Sequence, residues 1–343
     1  MDQEVKCSCV VLPLRSLGDD YKKADFDNTI LEILKLRESI DFLNEQHIII
    51  KIRSASKKKR DMLQKRMVYG TSSMSECIEL NCSVKFEEAK WILENNSGKI
   101  IPASYEEKFS TFLAEIETAL YECLSKIVMA ANISRPGIVS AGEGFILINN
   151  KFYAEISGFK SKFDIVFKEK ENKWPKFIDV PIKDAYEWLD SNEDVRSGYG
   201  QTNLGRSLAL FSNLFFSGYD RDSPIDCVCV IIAIEALYGS NGSKRDLIDR
   251  ISIVLGNKEK VRLIINHLYQ ERSNIVHGSR NIPFWFIEND DVLPTYYETV
   301  GKFMKSALQL LLSSYQRMIC LGIKKLEFET ILKNEEAPNQ RCS

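Results

Sequence analysis

The stretch Val261-Arg-Leu-Ile-Ile-Asn-His-Leu-Tyr-Gln-Glu-Arg-Ser-Asn-Ile-Val-His-Gly278 decides how the second half of the chain is read. Val261, Ile264, Ile265, Leu268, Ile275 and Val276 recur at the three- and four-residue spacing of one helix face, so Lys258 to His277 reads as an amphipathic helix stopped by Gly278 in a left-handed C-cap. Arg272, four residues after Leu268, falls in the middle of that apolar face. A guanidinium there needs a partner, because leaving it unpaired away from water costs several kcal/mol. Glu235, the one acidic residue in the apolar run Cys227 to Tyr238, is the simplest solution. His277 admits two readings, a histidine capping the helix C-terminal carbonyls or a group with chemistry to perform. Residues five apart on a regular helix point about 140° from each other. Arg272 and His277 therefore share a pocket only if the last turn loosens or a second copy of the chain completes the site.

Outward from this helix the pattern stays helical. Leu204 to Phe216 is one apolar helix, and another starts near Ser223-Pro224, with serine as cap and proline at the first helical position. That helix, Ile225 to Tyr238, is apolar nearly all round and is expected at the centre. Further helices span Ser243 to Leu255, stopped by Gly256-Asn257, and Tyr296 to Cys320, stopped by Gly322. Short connections between helices of this length imply an antiparallel bundle over residues 200–323. The longer loop Ser279 to Pro294, holding Trp285 and Phe286, reads as a lid or edge, and residues 324–343 as a charged tail.

Residues 1–199 are expected to form an α+β domain of unknown role, which makes the whole chain α+β and mainly α. From Phe26 to Gln46, the residues Ile30, Ile33, Leu34, Ile40 and Leu43 suggest an amphipathic helix, with Ile48 to Ile52 a short strand. The basic run Lys57 to Arg60, with Lys65 and Arg66 behind it, reads as a solvated helix start rather than a phosphate-contacting patch. Tyr69 to Lys99 gives no clear pattern. Ser104 with Glu107 forms a capping box for a long helix, whose stripe runs from Phe109 to Val128 and ends before Pro136-Gly137. Phe145 to Ile148, Phe152 to Ile156 and Phe163 to Phe167 then suggest a three-stranded antiparallel meander, followed by a helix near Ile182 to Leu189. The polar and Gly-rich stretch Ser191 to Gly200 places a domain boundary near Gly200.

Across 343 residues, 46 Lys plus Arg stand against 48 Asp plus Glu, so any nucleic-acid site is local rather than a property of the whole chain. The nine cysteines are an odd number and scattered, and Cys227-Val-Cys-Val230 alternates two of them with valine, the usage of a reduced, cytoplasmic protein. The first residues lack a secretory signal, and no apolar run reaches the roughly 20 residues of a spanning helix. Three histidines and no Cys-x-x-Cys give no zinc pattern, and no phosphate loop or nucleophile elbow is present. No cofactor and no metal are expected.

The segment Tyr269-Gln-Glu-Arg-Ser-Asn-Ile-Val-His-Gly278 resembles the signature of HEPN domains, specifically the Apea-like HEPN family. Arg206-Ser-Leu-Ala-Leu210 resembles the first helix of that fold, Ile231-Ile-Ala-Ile-Glu-Ala-Leu237 its acidic second helix and Arg245 to Gly256 its third. The resemblance covers about residues 200–320 and implies a HEPN helical bundle. It also implies a metal-independent endoribonuclease in which Arg272 and His277 are catalytic, with Glu235, Ser273 and Asn274 in support, at a site formed where two HEPN domains of a homodimer meet. The residue after the arginine in active members is often Asn, Asp or His, whereas here it is Ser273, with Asn274 next. Such proteins often resemble parts of antiphage, abortive-infection or toxin–antitoxin systems, so the partners expected are a transient RNA substrate and an antitoxin or trigger-sensing protein, with no membrane. The alternative reading is a non-catalytic interaction module in which Arg272 and Glu235 are a structural ion pair.

Overall fold

The computed structural model describes residues 2–15, 23–42, 46–66, 77–88, 93–94, 100–156, 174–216, 224–239, 243–280 and 293–328. Along the first strand, β1 (Asp2–Arg15), Val5, Cys7, Cys9 and Val11 are buried while Lys6 is exposed, the period-two pattern of a sheet with one dry face. β1 is a central strand of an antiparallel six-stranded sheet built with β2 (Arg37–Phe42), β3 (Gln46–Ser54), β4 (Ile78–Glu87), β7 (Val139–Ile148) and β8 (Lys151–Ile156), in the order β2-β3-β4-β1-β7-β8. A two-residue pair, β5 (Leu93–Glu94) and β6 (Ile100–Ile101), stands apart from it.

The sheet corrects two expectations. The amphipathic helix foreseen over 26–46 stops early: α1 spans Lys23–Ile33, and Arg37–Phe42 is β2, with Ile40 opposite Ile48. Ile40, seven residues after Ile33, suits a helical stripe as well as a strand, and pairing with β3 decides for the strand. The expected meander is instead an edge of the larger sheet: β7 and β8 form its hairpin, turning through Asn149 and Asn150 at φ 49° and 62°, and β7 pairs on its other side with β1. The third run, Phe163 to Phe167, lies outside the described residues, as does the Trp285-Phe286 loop.

The dry face packs on α1 and on α3 (Tyr105–Ser134), a 30-residue helix started by the complete Ser104–Glu107 capping box. Every residue from Ile127 to Ser134 is buried, so its last carbonyls need partners inside the protein. Gln316 supplies one, donating to the Ile133 carbonyl at 2.7 Å and accepting from the Ile178 N–H at 2.8 Å. Asn132 donates to the Val139 carbonyl at 2.9 Å and accepts from Gly137 N–H at 3.0 Å, fixing the chain reversal. At the same end Glu32 receives Arg135 at 2.6 Å and the Ile182 N–H at 3.1 Å, which caps α4 (Ile182–Asp190).

Beyond α4 come the short α5 (Glu193–Ser197) and five longer helices: α6 (Asn203–Phe216), α7 (Pro224–Tyr238), α8 (Lys244–Leu255), α9 (Lys258–Val276) and α10 (Leu293–Cys320). α7 touches all four of the others, the central place its apolar sequence implies. α10 is enclosed from Ala307 to Gln316, where Tyr315 hydroxyl meets Ser207 at 2.7 Å and Ser314 meets Tyr238 at 2.7 Å. One apolar cluster runs from Val5 through α3 and α4 to Met318, so packing is continuous across position 200. The cysteines Cys7, Cys9, Cys77, Cys82 and Cys123 are buried and outside any disulfide, acting as small apolar groups. No helix among the described residues is long and apolar enough to cross a membrane.

The passage from α5 into α6 depends on Asp194. Its carboxylate accepts from the Thr202 backbone at 2.8 Å and from the Thr202 hydroxyl, which itself caps α6 by accepting from Gly205 N–H at 3.0 Å. These bonds hold the Asp194 carboxyl below its ordinary range. A Cβ on Gly205 would lie 1.8 Å from Asp194 Oδ2, whereas one on Gly301 of α10 meets nothing within 4 Å. Gly205→Ala should therefore cost about 2 kcal/mol in chemical denaturation, and Gly301→Ala should gain about 0.5–1 kcal/mol.

On the other face of the sheet, α2 (Lys57–Arg66) drops Leu63 onto Val10, Ala55, Cys77, Phe145 and Leu147. The Lys59 ammonium donates to Glu79 at 2.6 Å and to Ser8 at 2.9 Å, so this lysine is not solvated as the run Lys57–Arg60 suggested. Burial pushes the Glu79 carboxyl up, but the Arg53 and Lys59 hydrogen bonds outweigh it and hold the group below its ordinary value. A depressed carboxyl lends stability above its unfolded pKa of about 4.3 and loses it as pH falls through the folded value. Wild type should accordingly lose more stability than Glu79→Gln between about pH 5 and pH 3, read by urea melts across that window.

Candidate functional site

Helix α9 starts at Asn257, whose side chain accepts from Lys260 N–H, and buries Val261, Ile265 and Leu268 against the bundle. One turn further along that face stand Tyr269 and Arg272, both directed at α7. The Tyr269 hydroxyl donates to Glu235 Oε1 at 2.5 Å, and Arg272 Nη1 donates to the same oxygen at 3.2 Å. The guanidinium carbon lies 5.9 Å from the Tyr269 ring centroid. Burial and the neighbouring carboxylate push the Tyr269 phenol above its usual range, so it remains a donor at physiological pH.

The Arg272–Glu235 pair is thus formed, but its two members are placed differently. Glu235 is 15% exposed and already satisfied by the shorter bond from Tyr269, whereas Arg272 is 36% exposed and tethered through one nitrogen. The arginine is oriented by the pair and is partly exposed. An arginine in that position can meet a phosphate bidentately.

His277 is the C-cap of α9, with φ −92° and ψ 8°, and it is exposed. Its N–H donates to the Ser273 carbonyl at 2.9 Å, the regular helical bond, so the last turn does not loosen. Within one chain Arg272 and His277 accordingly point about 140° apart. Ser273 is exposed and contributes that carbonyl. Asn274 is built into the turn: its side chain accepts from Gln270 at 3.0 Å and donates to Glu271 at 3.3 Å, and its carbonyl accepts from Arg280 N–H at 3.0 Å. Glu271 also pairs with Arg280 at 3.0 Å, and Gly278 takes φ 69° in the expected left-handed position.

The structure therefore brings Arg272 and Glu235 together with Tyr269, and it separates them from His277. Sequence reasoning assigned no role to Tyr269, although its place three residues before Arg272 puts both on one face. It also gave none to Glu271 and Arg280, whose pairing depends on a turn that spacing alone does not define. Among the described residues no group of three or more His, Cys, Asp or Glu side chains is arranged to hold a metal. No protein-family model, no curated protein and no solved structure matches the chain.

Because Tyr269 alone keeps Glu235 satisfied, Arg272→Ala should lose no more than about 1 kcal/mol, the range of partly exposed pairs. Glu235→Leu should cost more, about 2 kcal/mol, by stranding the Tyr269 hydroxyl and the guanidinium together. Thermal and urea melts of the two variants check the order.

Proposed function

We propose that the chain is a metal-independent endoribonuclease of the HEPN type, working at a site completed by a second copy of the chain, in a defence or toxin–antitoxin setting. The observation that carries this reading is the Arg272 guanidinium, held by Glu235 through a single nitrogen and 36% exposed, on a helix that ends in an exposed histidine. In this chemistry the 2′-hydroxyl of RNA attacks the adjacent phosphorus, the new P–O2′ bond forms and the P–O5′ bond breaks. Histidine, with an unperturbed pKa of about 6.5, moves the proton from the 2′-hydroxyl or to the leaving 5′-oxygen. Arginine holds the phosphate oxygens as charge builds on them. The products are a 2′,3′-cyclic phosphate and a 5′-hydroxyl.

Helix geometry supports the second copy. With the last turn of α9 regular, Arg272 of one chain meets a histidine at the same phosphate when another α9 faces it across a two-fold axis. The homodimer, the RNA and a regulating antitoxin or trigger partner belong to this proposal.

The competing reading, a non-catalytic HEPN interaction module, draws on the Arg272–Glu235 pair itself. Purified wild type, Arg272→Ala and His277→Ala, incubated with total cellular RNA in EDTA, separate the two. The nuclease reading predicts cyclic-phosphate ends from wild type and a loss of at least about a hundredfold in both variants while their melts stay cooperative. RNA left intact by wild type as well as by both variants favours the module.

A further inference from the structure

The basic run that the site on α9 leaves unexplained lies on the sheet. We infer that α2 and the neighbouring open face of the sheet form a binding surface for the backbone of single-stranded RNA. The choice of RNA rests on the proposed function; the surface itself rests on placement and charge.

The helix Lys-Lys-Lys-Arg-Asp-Met-Leu-Gln-Lys-Arg carries six cations and one acid. Its first turn holds lysines and no acidic residue, the arrangement the helix dipole opposes. These charges do not serve the helix that carries them. Lys59 turns inward to Glu79 and Ser8, while Lys57, Lys58 and Lys65 are exposed.

The sheet extends the same charge. Lys51 and Arg53 are exposed on the last residues of β3, two apart and hence about 7 Å from each other on one face. By register Arg53 stands beside Glu79, and Lys51 beside Asn81, which in turn pairs with Ser8. Glu79, on the same face, is 1% exposed and already takes both Arg53 and Lys59, while the Arg53 side chain remains 60% exposed. The exposed acids beside the group are Asp61, within one turn of Lys57, Lys58 and Lys65, and Glu4, which accepts from the Ser83 hydroxyl. Lys6, exposed on β1 opposite Ser83, continues the face. A chain of net charge −2 thus collects Lys6, Lys51, Arg53, Lys57, Lys58 and Lys65 on one surface.

The occupant follows from what this surface offers. Point charges spaced over an exposed face, with Ile49 57% exposed beside Lys51, suit the repeated phosphates of a strand. An anionic membrane is a poorer fit, because a surface-binding helix needs a free apolar side, and α2 has buried Leu63 against Val10 and Phe145. Contacts confined to phosphates position a strand without reading its bases. The surface is therefore a holding site with low sequence preference, separate from the residues of α9.

The test uses full-length His277→Ala protein and a fluorescently labelled 20-nucleotide polyuridine, followed by anisotropy from about 50 to 200 mM salt. Lys57→Glu, Lys58→Glu and Lys65→Glu together should weaken binding at least about tenfold and lower the magnitude of the log–log salt slope by about 2. Cooperative melting of the triple variant establishes that the fold is kept. Unchanged affinity and slope overturn the inference, as does equally tight, equally Lys-dependent binding of polyglutamate or of phosphatidylserine vesicles. If the triple variant loses binding while wild type never cleaves RNA, the surface stands and the nuclease reading falls.

Discussion

The constraint on which the rest of the structure depends is the burial of the end of α3. A helix that buries every residue of its last two turns must have its carbonyls satisfied by protein, since an unpaired buried carbonyl costs on the order of 1–3 kcal/mol. Gln316 of α10 meets that need from the second half of the chain by donating to the Ile133 carbonyl, while Asn132 ties the reversal that follows by donating to the Val139 carbonyl of β7. The same junction brings Glu32 of α1 to Arg135 and to the first N–H of α4. Sheet and helical bundle are therefore joined by specific hydrogen bonds as well as by apolar area, which makes α10 a fixed support for the helices above it.

The site inherits this rigidity. α7 packs on α10, Glu235 stands on α7, and Tyr269 fixes one Glu235 oxygen from α9. Arg272 then shares that oxygen at longer range, so its orientation is set by a carboxylate that does not depend on it. In the proposed nuclease this positions the arginine through its neighbours. His277, at the end of the same helix, is fixed by the turn through Gly278, Asn274 and Arg280 instead. Two separately built groups on one helix fit a site shared between copies.

Many of the helices were legible in the sequence because capping and stopping residues act locally. Ser104 with Glu107, Ser243, Pro224 and Gly278 each mark an element end in the place the structure gives it. The Arg272–Glu235 pair was also legible, since one cation and one acid lay in apolar runs. The sheet was largely hidden. β1 and β4 show alternating burial only once paired, and their alternate residues include serine, lysine and asparagine that read equally well as loop. The 26–46 stretch misled because Ile40 suits either a helix face or a strand facing Ile48, and the choice is made by a long-range partner. The Asp194–Thr202–Gly205 lock and the inward turn of Lys59 were not legible for the same reason, being contacts across elements.

The central claim is that a catalytic centre takes Arg272 from one chain and His277 from another. Mixing separately inactive Arg272→Ala and His277→Ala proteins tests it directly, because the mixed dimer rebuilds one site holding both groups. With random exchange, half the dimers are mixed and each has one working site of two, so ribonuclease activity should return to about a quarter of the wild-type level. A mixture that stays as inactive as either variant alone, although subunit exchange is seen by mass or fluorescence, contradicts the account.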